Sequence, residues 1–433
     1  MTDYNSIGKS YPLIDAADKA TGKYRYLSDV RLPGMLWGKV LRSPKPHALI
    51  KKIDISEAEK LPGVKAVITG ADIPGILCGP FMPDWNILPA KKVTFVGQEV
   101  AAVAATSLET AEKAISLIKV TYEDLPAVFD PEEAMKFDAP IVPEAKHSNI
   151  AYEFDVSVGD VDKAFQESDY VKELTFSTSS AFHAYLEPNG SVASYDPVAN
   201  TYTIWAATQV PYKARLLYSR ALGIEMKDLR LIQANMGGAF GGKFESNLHL
   251  VNLYLAKKAG QPVRLVNSME EEFFTATLRV PMKITVKVGI KKDGTIMAKD
   301  THIVADNGAR TNYGPASVST ACYRVDSLYR IKNTRSKGYL VYTNNVPKGA
   351  MRGFGNPQML LALEAVLDML AEESGLDPGE IRLKNCFKAG EESVHGWKIG
   401  SCGLPECIAE AKELSHWDEK RKKDNFSKCQ RLR

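Results

Sequence analysis

Glycine and arginine carry the chemistry-bearing pattern of this chain. Gly237-Gly238-Ala239-Phe240-Gly241-Gly242 places four glycines in six residues, with Lys243 directly after. A second loop reads Arg352-Gly353-Phe354-Gly355, and a third segment, Thr208-Gln209-Val210, stands before Pro211. Each precedes residues of helical character: Tyr212 to Leu222 ended by Gly223, Ser246 to Lys258, and the stretch begun at Asn356-Pro357. The first turn of a helix offers free N–H groups and the positive end of the dipole, which favour anions. Glycines let the backbone approach a bulky ligand and turn its amides toward it. Arg352 adds a permanent charge and a forked donor. Together these suit a large anionic cofactor. The spacing Gly237-x-x-x-x-Gly242-Lys243 also follows a phosphate-binding loop up to its last position. There Phe244 replaces the hydroxyl that would hold Mg²⁺, which counts against a phosphotransferase.

The other reactive side chains read as structural. His183 is expected to be a hydrogen-bonded core histidine and Glu187 a structural carboxylate; Met351 and Met359 suit packing. His47, His147 and His302 lack metal-ligand spacing. Six cysteines (Cys78, Cys322, Cys386, Cys402, Cys407 and Cys429) include no CxxC, so neither a disulfide framework nor an iron–sulfur site is expected on this chain. Reduced thiols suit a cytoplasmic location. A net charge of +3 without a basic block argues against a nucleic-acid partner, and Lys420-Arg421-Lys422-Lys423 reads as a solvated terminus. Met1-Thr2-Asp3-Tyr4-Asn5 does not open a signal peptide, and no apolar run reaches the roughly 18 residues of a membrane span.

With 433 residues, 45% hydrophobic and 25% charged, the chain should fold as more than one globular domain. The fold class expected is α+β, with a smaller α/β domain over 15–145 and a larger mixed domain over 150–433. In the first, strands are expected from Leu49-Ile50 to Ile55, over Val64 to Thr69, over Glu99 to Ala105 and from Lys119 to Tyr122. Ser56 to Lys60 reads as a short helix. Thr106 and Glu109 have the spacing of a capping box for a helix that places Leu108, Ala111, Ile115 and Ile118 on one face. Residues 126–151 read as a loop. In the second domain Ile284, Val286, Val288 and Ile290 alternate as a strand before an Asp293-Gly294 hairpin turn. Gln358 to Ser374 reads as a buried helix, capped by Asn356, with Pro357 first and Gly375 closing it.

Taken in order, these motifs resemble the molybdenum subunits of the xanthine oxidase family. The two Gly-rich loops, continued as Gly349-Ala350-Met351-Arg352-Gly353-Phe354-Gly355-Asn356-Pro357-Gln358, are the specific part. Thr21-Gly22-Lys23-Tyr24-Arg25-Tyr26, Leu41-Arg42-Ser43-Pro44, Phe95-Val96-Gly97-Gln98-Glu99 and Val120-Thr121-Tyr122-Glu123-Asp124-Leu125-Pro126 are similar to the family's N-terminal hammerhead domain. His183-Ala184-Tyr185-Leu186-Glu187-Pro188 and Thr208-Gln209 follow the family order.

The resemblance implies a hammerhead domain followed by the first of two molybdopterin-binding domains. It also implies a molybdenum–molybdopterin cytosine dinucleotide with a sulfido or selenido ligand. Gln209, Gly238, Ala239, Phe240, Gly241, Gly242 and Arg352 would bind that cofactor. Phe240, Gly241 and Arg352 would face its metal through backbone amides or through a ligand oxygen, and Arg352 and Phe354 would meet the substrate as cation and ring-stacking wall. Because family members of this type continue further, a second molybdopterin subunit is expected to carry the catalytic base. Iron–sulfur ([2Fe-2S]) and FAD subunits would take the electrons. Within the family the pattern is nearest the split nicotinate-oxidising type, so a small N-heteroaromatic substrate is expected. Phe244 and Thr320 replace two groups that orient purines in relatives, which disfavours xanthine. Arg352-Gly353 lacks the cysteine of copper-linked relatives. Ala181 stands where a family glutamine would contact a molybdenum oxygen.

Overall fold

The computed structural model describes residues 4–144 and 146–423. Residue 145 (where the first expected domain ends), Met1 to Asp3, Cys429 and the side chains of Lys422 and Lys423 lie outside what is described. The chain forms two compact units that interleave in sequence. The first combines Met1–Cys78, Asn86–Leu125 and His183–Ala276; the second combines Gly79–Trp85, Pro126–Phe182 and Thr277–Arg433. Compactness therefore follows a different division from the sequential one at 145 and 150.

The first unit is built on a seven-stranded sheet. Its strands run, in spatial order, Leu229–Gln233, Thr201–Ala206, Gly190–Asp196, Val263–Val266, Leu36–Arg42, Glu99–Ala105 and Val64–Thr69. Val263–Val266 is the join: it pairs antiparallel with Gly190–Asp196 and parallel with Leu36–Arg42. Every residue of Glu99–Ala105 is buried, which is why it reads as an unbroken apolar run after Glu99. Its alanines admit the helices Leu108–Leu117 and Asn247–Ala259 at close range. A three-stranded sheet of Lys92–Val93, Ala48–Asp54 and Lys119–Asp124 completes the unit. One expectation is corrected. The cap of Leu108–Leu117 is Ser107, whose Oγ accepts from Thr110 N–H at 3.1 Å. Thr106 stays with the sheet end, because its N–H donates to Gly63 O at 2.9 Å.

His249 sits fully buried on the helix Asn247–Ala259. Its Nε2 lies 2.9 Å from Gly190 O, which can only accept, so Nε2 carries the proton and Nδ1 accepts from Tyr218 Oη at 2.8 Å. Burial pushes this imidazole down to about 4 from an ordinary 6.5. The unfolded chain thus binds the extra proton first as pH falls. The stability from this neutral histidine is complete above pH 6.5 and is lost as pH falls toward 4, by on the order of 3 kcal/mol. His249→Gln is expected to flatten that part of the pH dependence in urea unfolding. Equal slopes for the two proteins would refute the assignment.

The second unit centres on a five-stranded sheet of Ile150–Val158, Asn333–Tyr342, Ile296–Gly308, Met282–Ile290 and Tyr170–Ser177. Ile284, Val286, Val288 and Ile290 are all buried, as their alternation requires. The Asp293-Gly294 turn follows, with Gly294 at φ +83° and Lys291 N–H donating to Thr295 O at 2.9 Å. The helix Asn356–Ser374 packs on the strands Met282–Ile290 and Tyr170–Ser177 through Met359, Ala362, Leu363, Val366, Leu367 and Leu370. That is helical spacing on a single face. Its start also differs from expectation. Gly355 is the cap, at φ +84°, and Asn356 is already helical with no side-chain cap bond. The preceding turn is closed by backbone instead, Asn356 N–H to Gly353 O at 3.1 Å. Within the expected loop 126–151, Asp130 caps a short helix, Pro131–Ala134, by accepting from Glu132 and Glu133 N–H.

Candidate active-site loops

In the first unit, Gln209 follows the strand Thr201–Ala206 and precedes the helix Pro211–Leu222. Thr208 Oγ1 donates to Phe244 O at 2.9 Å, and Gln209 N–H donates to Lys243 O at 2.7 Å. The Gln209 side-chain oxygen accepts from Gly241 N–H at 3.0 Å and Lys243 N–H at 3.4 Å. Its carbonyl is thereby spent on the loop, and the amide NH₂ is left to present two donors. Gly241 N–H is thus engaged within the protein, and Gly242 N–H likewise donates to Ala239 O at 2.8 Å. The N–H groups of Gly238, Ala239 and Phe240 donate to no described residue.

The backbone of this loop is tightly set. Gly238 and Gly241 lie at φ +97° and +101°, and Phe240, not a glycine, at +53°. Such left-handed positions cost a non-glycine residue of order 1–3 kcal/mol and collect at ligand clamps. A Cβ on Gly242 would sit 2.8 Å from the Tyr185 ring and 2.9 Å from His183 Nδ1. Three consecutive open amides, a neighbouring NH₂ and glycines that keep side chains out make a cradle for an oxygen-rich anionic group.

Lys243 does not join that cradle. Its side chain has no solvent exposure and pairs with Glu187 at 2.8 Å, above the Tyr185 ring. Burial holds the ammonium below the usual lysine range, and Glu187 opposes the shift. A phosphate-loop lysine must reach its phosphates, so the turned-in Lys243 removes the phosphotransferase reading on geometry as well as on Phe244.

In the second unit, the loop before Asn356–Ser374 repeats the device. Gly353, Phe354 and Gly355 lie at φ +103°, +47° and +84°. Phe354 N–H donates to Met351 O at 2.9 Å. Its ring meets Tyr313 edge-on at 6.3 Å, and Tyr313 meets Phe81 edge-on at 5.2 Å. The Arg352 side chain is exposed, and its carbonyl accepts from Arg279 Nη2 at 3.0 Å. Arg279 also reaches Gln358 Oε1 at 3.4 Å, and Gln358 Nε2 donates to Val280 O at 2.9 Å. The loop is therefore held by its backbone while its cation stays available. Thr320 is buried in the helix Gly314–Tyr323, and Ala181 O accepts from Arg279 N–H at 3.0 Å. Among the described residues, no three His, Cys, Asp or Glu side chains gather as a metal site.

Sequence comparison matches residues 142–386 to the molybdopterin cofactor-binding domain and residues 21–126 to the a/b hammerhead domain of aldehyde oxidase and xanthine dehydrogenase. The chain belongs to the xanthine oxidase family. It combines that family's hammerhead domain with a molybdopterin-binding domain, in the order expected. It is 34% identical to the nicotinate dehydrogenase large molybdopterin subunit of Eubacterium barkeri, over 95% of this chain and 96% of that subunit. A probable xanthine dehydrogenase subunit of Bacillus subtilis is 40% identical over 86% of this chain but 50% of its own length. Among solved structures, quinoline 2-oxidoreductase of Pseudomonas putida 86 superposes with a TM-score of 0.91 at 28% identity, covering 99% of this chain and 56% of that one. The chain thus spans about half the length of several relatives and nearly all of the Eubacterium subunit.

Within this xanthine oxidase family chain, the expected site residues fall in two groups. Gln209 and Gly238 to Gly242 are together in the first unit; Arg352 and Phe354 are together in the second. Sequence reasoning read Glu187 as structural but missed two of the parts that hold them, namely the pairing of Glu187 with Lys243, and Arg279. The only signal was the charge of each. Their partners stand 56 and 73 residues away.

Proposed function

We propose that this chain is the molybdenum-binding subunit of a multi-subunit hydroxylase that oxidises an N-heteroaromatic acid, nicotinate to 6-hydroxynicotinate. The open N–H groups of Gly238, Ala239 and Phe240 beside the Gln209 NH₂ are the observation that carries this reading. The residues present fit an oxygen-rich cofactor, since the cradle offers only donors to it. When bound, a molybdopterin cytosine dinucleotide with its sulfido- or selenido-ligated metal supplies the two-electron oxidation that places water-derived oxygen on an electron-poor ring carbon. The chain's own residues orient and stabilise. Gly238 to Phe240 present N–H groups where negative charge gathers. Arg352, exposed and held by its carbonyl, pairs with the substrate carboxylate as a forked donor. Phe354 offers its ring to an aromatic substrate, a contact of about 0.5–1.5 kcal/mol beyond area burial.

The catalytic base is assigned to a second molybdopterin subunit, and electron transfer to [2Fe-2S] and FAD subunits. The name and full-length match of the Eubacterium relative support a divided molybdenum portion. No helix of the described residues is long and apolar enough to cross a membrane; a cytoplasmic complex is the setting proposed. The test is to purify the native complex, assay molybdenum and pterin, and compare nicotinate with xanthine as electron donor. Absence of molybdenum, or faster turnover of xanthine, overturns the reading. Arg352→Ala is expected to lower kcat/KM for nicotinate about tenfold or more, the worth of one charge-assisted hydrogen bond, with assembly intact by gel filtration. Full activity in that variant would remove Arg352 from the site.

A further inference from the structure

The Gly-rich loop is pinned at both ends by one carboxylate. Glu187 Oε2 accepts from Gly237 N–H at 2.9 Å and from Lys243 Nζ at 2.8 Å. Glu187 N–H also donates to Gly237 O at 3.2 Å. The first residue of the loop and the residue just after it are thus fixed to the same side chain. A Cβ on Gly237 would stand 2.7 Å from Glu187 Cβ, so the approach is as close as glycine allows. Beneath the ion pair lies a second carboxylate. Glu272 is buried, bonded to Tyr185 Oη, and accepts from Asn189 N–H at 3.0 Å and Asn267 Nδ2 at 2.7 Å. Tyr185 stays protonated, as burial and the neighbouring Glu272 both favour the neutral phenol. Glu272 is served by neutral donors, which leaves the Lys243 ammonium to Glu187. In the middle of the loop, the N–H groups of Gly238, Ala239 and Phe240 donate to no described residue.

We infer that the Glu187–Lys243 pair is a positioning device for the amide cradle, setting the direction in which the Gly238, Ala239 and Phe240 N–H groups point and so tuning the group they hold. This rests on the cofactor reading above. A buried pair is a poor source of net stability, because desolvation offsets most of the attraction; fixing one loop geometry is a use that the staple's two-ended placement explains.

The test uses the complete, metal-loaded complex with Glu187→Gln, Lys243→Met, Lys243→Arg and the charge-neutral double variant Glu187→Leu/Lys243→Met. Four readouts are needed: molybdenum and pterin content, the electron paramagnetic resonance spectrum of the reduced complex, kcat with KM, and thermal unfolding. Glu187→Gln and Lys243→Met are expected to keep molybdenum within about twofold of wild type, shift the spectrum, and lower kcat roughly tenfold with KM nearly unchanged. Lys243→Arg should restore most of kcat. The double variant, free of an unpaired buried charge, should recover thermal stability but keep the shifted spectrum. That combination separates positioning from mere structural support. If single and double variants alike show the wild-type spectrum and kcat, the inference is overturned while the cofactor reading stands. If the wild-type complex itself holds no molybdenum, both fall.

Discussion

Asp326→Ala is expected to lower the free energy of unfolding by about 3–5 kcal/mol, the cost of leaving a buried charge without its partner. Asp326 lies in the short 3-10 turn Arg324–Ser327 and Lys299 in the strand Ile296–Gly308; neither side chain has solvent exposure, and they meet at 2.6 Å. Burial by itself would raise the Asp326 carboxyl. The Lys299 ammonium and the bond from His395 outweigh it and hold the group below the usual carboxylate range. Thr334 Oγ1 at 3.1 Å and His395 Nε2 at 2.9 Å complete its partners, and Lys299 has Ser336 Oγ at 3.2 Å. Removing Asp326 strands an ammonium that hydroxyl and carbonyl dipoles do not neutralise. Lys299→Met combined with Asp326→Leu should therefore recover most of the loss. The exposed pair Lys60–Glu57 is the control, and breaking it should cost no more than about 1 kcal/mol. Urea unfolding of the four proteins measures all of this. A loss below that of the exposed control would contradict the argument.

The second large effect is expected at Gly355. A Cβ there would lie 2.2 Å from Ser317 O, and the backbone is at φ +84°. The obstacle is a main-chain oxygen in a helix, which cannot swing aside as a side chain would. Gly355→Ala is expected to cost about 1–3 kcal/mol in strain and to displace the Phe354 and Arg352 backbone just before it. Turnover should fall at least about tenfold, by misplacement of the two groups proposed to face the substrate. Gly375, at the other end of the same helix, separates conformation from contact. It has φ +70° but nothing within 4 Å of an added Cβ. Gly375→Ala should cost about 1 kcal/mol and leave turnover unchanged. Equal activity of the two variants would show that Gly355 matters only for the helix.

Local signals were legible where the physics is local. The alternation Ile284 to Ile290, the Asp293-Gly294 turn and the closure of Asn356–Ser374 by Gly375 depend on neighbours within a few residues, and each forms as its sequence suggests. The two caps each fell one residue from the expected position: Ser107 Oγ, not Thr106, takes the Thr110 N–H, and Asn356 is already helical behind Gly355. The Gly-rich loops were legible as loops, since only glycine tolerates most of their angles. Which of their amides remain open was not. That depends on Gln209, 32 residues before Gly241, turning its oxygen rather than its NH₂ inward. The interleaving of the two units was likewise hidden, because sheet pairing between distant segments leaves no periodicity to read.

The placement of Val263–Val266 has a consequence for biogenesis. The strands on either side of it, Leu36–Arg42 and Gly190–Asp196, are synthesised long before it, yet each takes it as a neighbour. Until it emerges from the ribosome, both present unpaired backbone edges, which invite association with other chains. Contacts so distant in sequence also make for slow closure. The last strand of the seven-stranded sheet to be synthesised is thus the one that lies at its centre.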